Sequence, residues 1–143
     1  METAQRICSD NGVRLTQLRE QVLRLIWQSH RPLGAYALME MLAEQSTRRV
    51  APPTVYRALE FLLEQGLIHR INTLNAFVGC THPQGDHDNN FMICEECGVA
   101  IEFCTEKIQH DIKDSAAQFN FTIKAQSIEL VGLCQACTGN KDE

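Results

Sequence analysis

Two Cys-x-x-Cys pairs, Cys94-Glu95-Glu96-Cys97 and Cys134-Gln135-Ala136-Cys137, stand in the second half of the chain with 36 residues between Cys97 and Cys134. Each pair offers two sulfurs to one ion, and two such knuckles can close a tetrahedral four-thiolate zinc site. A site of that kind constrains a small domain more than any apolar pattern, because the chain between the knuckles must return to its starting point. The alternative is disulfide pairing or unrelated core thiols. Seven Cys is an odd number, so a fully disulfide-paired monomer is excluded, and thiolates on metal in a reducing compartment fit better. Cys8, in an amphipathic segment, reads as a buried small hydrophobe.

The chain starts Met1-Glu2-Thr3-Ala4-Gln5-Arg6 without an apolar leader, and no stretch reaches the length of a membrane span. A cytoplasmic protein with no membrane partner is expected. The net charge of −5 is unevenly divided. Residues 1–80 carry nine Arg against seven acids, a balance of +2, and residues 81–143 carry four Lys against eleven acids, a balance of −7. The cations of the first part are all Arg, the side chain suited to bidentate phosphate and guanine contacts. Charge, Cys distribution and the linker-like run from Thr81 to Asn90 divide the chain into a module over 1–81, a hinge over 82–90 and a module over 91–143.

The first module reads as helical. A short helix over about Thr3–Ser9 ends at Asn11-Gly12, and a second opens at Leu15-Thr16 with Leu18, Val22, Leu25 and Ile26 at helical spacing. A third spans about Ala35–Glu44. The fourth starts at Pro52-Pro53, which the first turn of a helix tolerates, and stops before Gly66. Val55, Ala58, Leu59 and Leu62 share its inner face, which leaves Thr54, Arg57, Glu60 and Glu64 outward and Tyr56 at the edge. Two β-rich runs, Leu67–Ile71 and Ala76–Cys80, flank the Asn72–Asn75 turn as a hairpin. Helices followed by a hairpin predict a winged helix-turn-helix, whose recognition helix enters the major groove.

The second module reads as α/β. Strands are expected at Phe91–Cys94, Val99–Phe103, Phe121–Ile123 and Ser127–Leu133, with a helix over Thr105–Phe119 that turns Ile108 and Ile112 inward. Cys104 reads as core or as a thiol at the start of that helix. The fold class expected for the whole chain is α+β. The small sheet leaves an edge that invites a second subunit, so a homodimer is expected. No nucleophile and base pair stands out, and an enzyme is not expected. No small-molecule substrate is expected either.

Arg14-Leu15-Thr16-Gln17-Leu18-Arg19, Pro53-Thr54-Val55-Tyr56-Arg57-Ala58-Leu59, Gly66-Leu67-Ile68-His69-Arg70 and Cys94-Glu95-Glu96-Cys97-Gly98 occur in an order that resembles the ferric uptake regulator superfamily. The resemblance runs from about residue 5 to Cys137. It implies a metal-responsive transcriptional repressor with an N-terminal winged helix, a C-terminal α/β dimerisation domain, and a homodimer on palindromic, A·T-rich double-stranded operator DNA. It also implies base contacts from Tyr56 and Arg57, with Thr54 on the same exposed face, and a minor-groove contact from Arg14. Those roles suit the side chains, since Arg pairs with guanine and favours narrow minor grooves while Tyr packs on a thymine methyl.

Iron-sensing members resemble one another in a His-rich cluster before the first knuckle, and here that stretch, Thr81–His87, breaks the pattern. The chain looks instead like the zinc uptake regulator branch of the superfamily. That likeness implies a regulatory zinc on His69, Cys80, His87 and Glu102 and a structural zinc on Cys94, Cys97, Cys134 and Cys137, two ions per chain. A thiolate, two imidazoles and a carboxylate suit tetrahedral zinc. His82 is the rival of His87. The expected protein is a zinc-responsive repressor of zinc uptake genes. A regulator of another metal and a zinc-ribbon interaction or redox protein are the alternatives.

Overall fold

A computed structural model describes residues 2–45, 50–80, 89–103 and 105–139, and the chain divides into two compact units, Met1–His87 and Asp88–Glu143. The first unit runs α1 (Glu2–Asp10), α2 (Gln17–Gln28), α3 (Ala35–Gln45), α4 (Pro52–Glu64), β1 (Ile68–Ile71) and β2 (Ala76–Gly79). Thr16 caps α2 by accepting the Arg19 N–H at 3.3 Å, so one of the orphan donors of the first turn is satisfied. Val22, Leu23, Leu25 and Ile26 of α2, Leu38 and Leu42 of α3, and Val55, Ala58, Leu59 and Leu62 of α4 are buried. The inner stripe expected for α4 is therefore the observed one, and it forces Thr54, Tyr56 and Arg57 to the outside.

At the end of α4 the Leu67 N–H bonds the Leu62 carbonyl at 3.0 Å across Gly66, and the chain passes directly into the wing. The hairpin register places His69 opposite Val78 and Ile71 opposite Ala76. The other edge of β2 is held as well. Leu33, just before α3, and Phe77 exchange two backbone hydrogen bonds of 3.0 and 2.8 Å. Trp27 of α2 lies against Gly79, where an added Cβ would come 2.9 Å from the indole Cε2, so the close approach requires glycine. Helix and loop thus fix the wing from two directions.

The second unit runs β3 (Asn89–Cys94), β4 (Ala100–Glu102), α5 (Glu106–Gln118), β5 (Ser127–Gly132) and α6 (Gln135–Gly139). The sheet order is β4-β3-β5, with β4 antiparallel and β5 parallel to β3. A parallel pair needs a crossover, and α5 supplies it. Thr105 caps that helix by accepting the Ile108 N–H at 3.3 Å. β3 begins at Asn89, so the last two residues of the expected hinge are strand.

Two expectations for this unit are corrected. Phe121–Ile123 is not a strand. Asn120 takes a positive φ of 53° and the Phe121 N–H bonds the Ala116 carbonyl at 2.9 Å, so these residues finish the helix cap and pairing with β3 starts only at Ser127. Nor is the apolar stripe of α5 buried: Ile108 is exposed and Ile112 only half-buried, because a three-stranded sheet is too narrow to cover a 13-residue helix by itself. A row of apolar side chains across the sheet, Met92 with Ile101 and Leu130 in register beside it, is also exposed, at 45, 49 and 49%.

Candidate metal centre and nucleic-acid interface

The β3–β5 ladder brings the two knuckles together. Cys94 lies opposite Gly132 in the parallel register, and the Glu95 N–H bonds the Gly132 carbonyl at 2.9 Å. The first knuckle turns through Gly98 at φ +77°, a left-handed conformation that favours glycine, and its N–H bonds the Cys94 carbonyl at 3.0 Å. The Cys97 N–H points at the Cys94 sulfur at 3.5 Å. In the second knuckle the Thr138 N–H bonds the Cys134 carbonyl at 2.8 Å, which winds Cys137 back beside Cys134. The four sulfurs lie within 4.8 Å of one another, and Cys97 and Cys134 are 3.7 Å apart. Sulfurs at about 2.3 Å from zinc form a tetrahedron with edges of roughly 3.8 Å, so the donor set fits the ion.

The thiols are not equivalent without a cation. The backbone N–H of Cys97, and after it that of Cys134, holds the Cys94 thiol down to about 6, whereas the Cys137 thiol, hydrogen-bonded to the Cys134 sulfur, is pushed up to about 12. Near neutral pH Cys94 is therefore a thiolate and Cys137 keeps its proton, which zinc must displace. Zinc held there would therefore release protons, and its affinity would rise with pH. Calorimetric zinc titrations in buffers of different ionisation enthalpy should show the affinity falling at least about tenfold per pH unit below neutrality, more steeply once Cys94 protonates. A flat profile between pH ~8 and ~5.5 would exclude thiolate ligation.

A second pair of donors forms at the root of the wing. The Cys80 N–H bonds the Leu67 carbonyl at 3.0 Å, which extends the ladder one step past β2. Cys80 therefore shares a face with Leu67 and, two residues along β1, with His69. Both side chains are buried, His69 to 4% and Cys80 to 0% exposure, and their donor atoms lie within 4.8 Å of each other. Glu102 is half-buried at the end of β4, in the second unit. His87, its rival His82, and Cys104 lie outside the described residues.

Helix α4 carries the other candidate residues of the first unit. Thr54, Tyr56 and Arg57 are exposed on one flank of the helix, Tyr56 at 52%. Arg14 is exposed in the α1–α2 connection. Nothing in the sequence pattern indicated how that connection is held. Arg19 donates from Nη1 to the Arg14 carbonyl at 2.7 Å, and its guanidinium lies 3.8 Å from the ring centroid of Phe61 on α4. Asn11 bonds Gln65, the C-cap of α4, at 2.8 Å. Burial pushes the Cys8 thiol of α1 up, opposed by the Arg19 charge. By contrast Arg24 pairs with Glu20 at 2.9 Å on the solvent face, a contact worth about 0.2–1 kcal/mol.

Comparison with known proteins places this geometry among relatives. The sequence pattern of the Ferric uptake regulator family matches residues 10–131. The zinc uptake regulation protein of Escherichia coli (strain K12) is 40% identical over 135 residues, which span 94% of this chain and 78% of the relative. A solved zinc uptake regulator complexed with zinc and DNA matches with a TM-score of 0.92 at 38% identity, over 99% of this chain and 95% of that one. The crystal structure of holo XcZur matches with a TM-score of 0.86 at 39% identity, over 96% of each chain.

Proposed function

Because this chain belongs to the ferric uptake regulator family, we propose that it is a zinc-responsive transcriptional repressor, a regulator and not an enzyme, that binds palindromic operator DNA as a zinc-loaded homodimer. Its targets are zinc uptake genes, and it works in the cytoplasm. The observation that carries this reading is the wing root, where a buried imidazole and a buried thiol lie side by side on the hairpin that follows the recognition helix. A soft sulfur with an imidazole suits zinc better than a hard oxygen-site metal. The Escherichia coli relative is a zinc uptake regulation protein and the first solved regulator is complexed with zinc and DNA, which supports this reading.

Two zinc ions per chain take separate roles in this reading. Cys94, Cys97, Cys134 and Cys137 hold a closed structural ion. His69, Cys80, His87 and Glu102 hold the regulatory one, with His69 and Cys80 supplied by the wing and the other two by the hinge and β4. Zinc bound there would supply a divalent charge shared by those four side chains. Tyr56, Arg57 and Thr54 then read bases in the major groove while Arg14 enters the minor groove. A palindrome demands two recognition helices about one helical turn apart, which only a dimer provides. The exposed row of Met92, Ile101 and Leu130, together with Ile108 of α5, supplies apolar surface for that dimer.

The test uses duplexes that the zinc-loaded protein selects from a random pool. Binding should weaken by at least about a hundredfold on mild chelation and fall steeply with salt, since phosphate contacts release counterions. Zinc-loaded protein that retains no duplex at low salt would overturn the repressor.

A further inference from the structure

The geometry points to Arg19 as a positioning residue for DNA reading: a latch that locks the Arg14-bearing connection onto the recognition helix without itself contacting the duplex. Arg14 sits in the connection between α1 and α2, outside either helix. The structure attaches that connection to α4 at two places. Asn11 reaches Gln65 at the end of α4, at 2.8 Å. Arg19, itself half-buried, grips the Arg14 carbonyl at 2.7 Å while its guanidinium stacks 3.8 Å from the Phe61 ring. The first contact fixes the start of the connection, and the second fixes the residue that matters.

The chemistry suits a latch better than a phosphate clamp. A guanidinium can donate in its plane and stack through its face at once, which a Lys ammonium cannot do. Here both capacities are met by groups of the same chain. The backbone of Arg14 is thereby held in a fixed position relative to the helix that carries Tyr56 and Arg57. Ordering it in advance removes an entropy cost that DNA binding would otherwise bear. Thr16 contributes to the same arrangement, because its cap on the Arg19 N–H sets the first turn from which the guanidinium reaches back.

This assignment rests on the proposed DNA-binding role, and a double-mutant cycle tests it separately. Operator affinity of the zinc-loaded dimer is measured by anisotropy for wild type, Arg14→Ala, Arg19→Met and the pair. Arg14→Ala should weaken binding about tenfold and Arg19→Met about fivefold, while the pair should be no more than about twofold weaker than Arg14→Ala alone. The salt slope of Arg19→Met should change no more than that of Arg14→Ala. Phe61→Leu removes the ring but keeps the core apolar, and it should erode the Arg14→Ala effect in the same way, so the cycle survives if Arg19→Met folds poorly. Zinc content and melting temperature serve as controls. Additive effects, with the pair about fiftyfold weaker, would overturn the latch, as would a salt slope in Arg19→Met lowered by about one independently of Arg14. Wild-type protein that binds no operator overturns the DNA-binding reading instead.

Discussion

Cys94→Ser or Cys134→Ser should leave the second unit unfolded and the chain monomeric, with the four-thiolate zinc lost by metal analysis. A serine hydroxyl does not ionise near neutral pH, so the ion loses one of four anionic ligands in a site where binding and folding are the same event. Structural zinc contributes roughly 10–16 kcal/mol in such sites. The second unit has little to set against that loss. Its helix α5 buries none of its residues, and its sheet leaves one apolar row uncovered. The first unit has its own core of Val22, Leu38, Val55, Leu59 and Leu62 and should survive, so far-UV circular dichroism should retain most of the signal of α1 to α4. Limited proteolysis should then yield a resistant N-terminal fragment. A Cys94→Ser protein that stays dimeric and melts like wild type would refute the structural role of this cluster.

His69→Ala and Cys80→Ser should give the opposite phenotype. The dimer stays folded and keeps its four-thiolate zinc, but operator binding no longer responds to added zinc and falls by about a hundredfold. Removal of a buried imidazole or sulfur costs local packing of about 1–2 kcal/mol, too little to unfold a unit with so continuous a core. The loss therefore appears in the zinc response and not in the melt. Metal analysis after mild chelation should find one zinc per chain in both variants. If either variant binds operator as wild type does, with and without chelator, the regulatory site lies elsewhere. Tyr56→Ala and Arg57→Ala provide the contrast, since they should weaken DNA binding at every zinc concentration while leaving metal content unchanged.

The first unit was legible because its signals are local. Prolines start α4, Thr16 caps α2, and the spacing of Val55, Ala58, Leu59 and Leu62 gives both the buried face and its exposed complement. The four-thiolate cluster was legible for the same reason, since each knuckle is a local motif. The second unit was harder. A left-handed Asn120 ends α5 and absorbs the start of an apparent strand at Phe121, and no periodicity reveals that. Helical spacing turns Ile108 inward, yet it is 41% exposed, since what would cover it is not a matter of local pattern. His69 and Cys80 have no spacing that marks a metal site. They meet only through the hairpin register, and the family likeness, not a motif, pointed to them. The Arg19–Phe61 stack joins two helices through side-chain geometry, which a sequence does not display.

The contact between Trp27 and Gly79 has a practical consequence. This indole is the chain's one tryptophan, it is 46% exposed, and it rests on the residue next to Cys80. Nearly all ultraviolet emission of the protein excited at the red edge therefore originates at the base of the wing, beside the sulfur proposed to receive the regulatory ion. The molecule carries its own optical gauge at the point where metal status is to be read, and no label is needed to follow it.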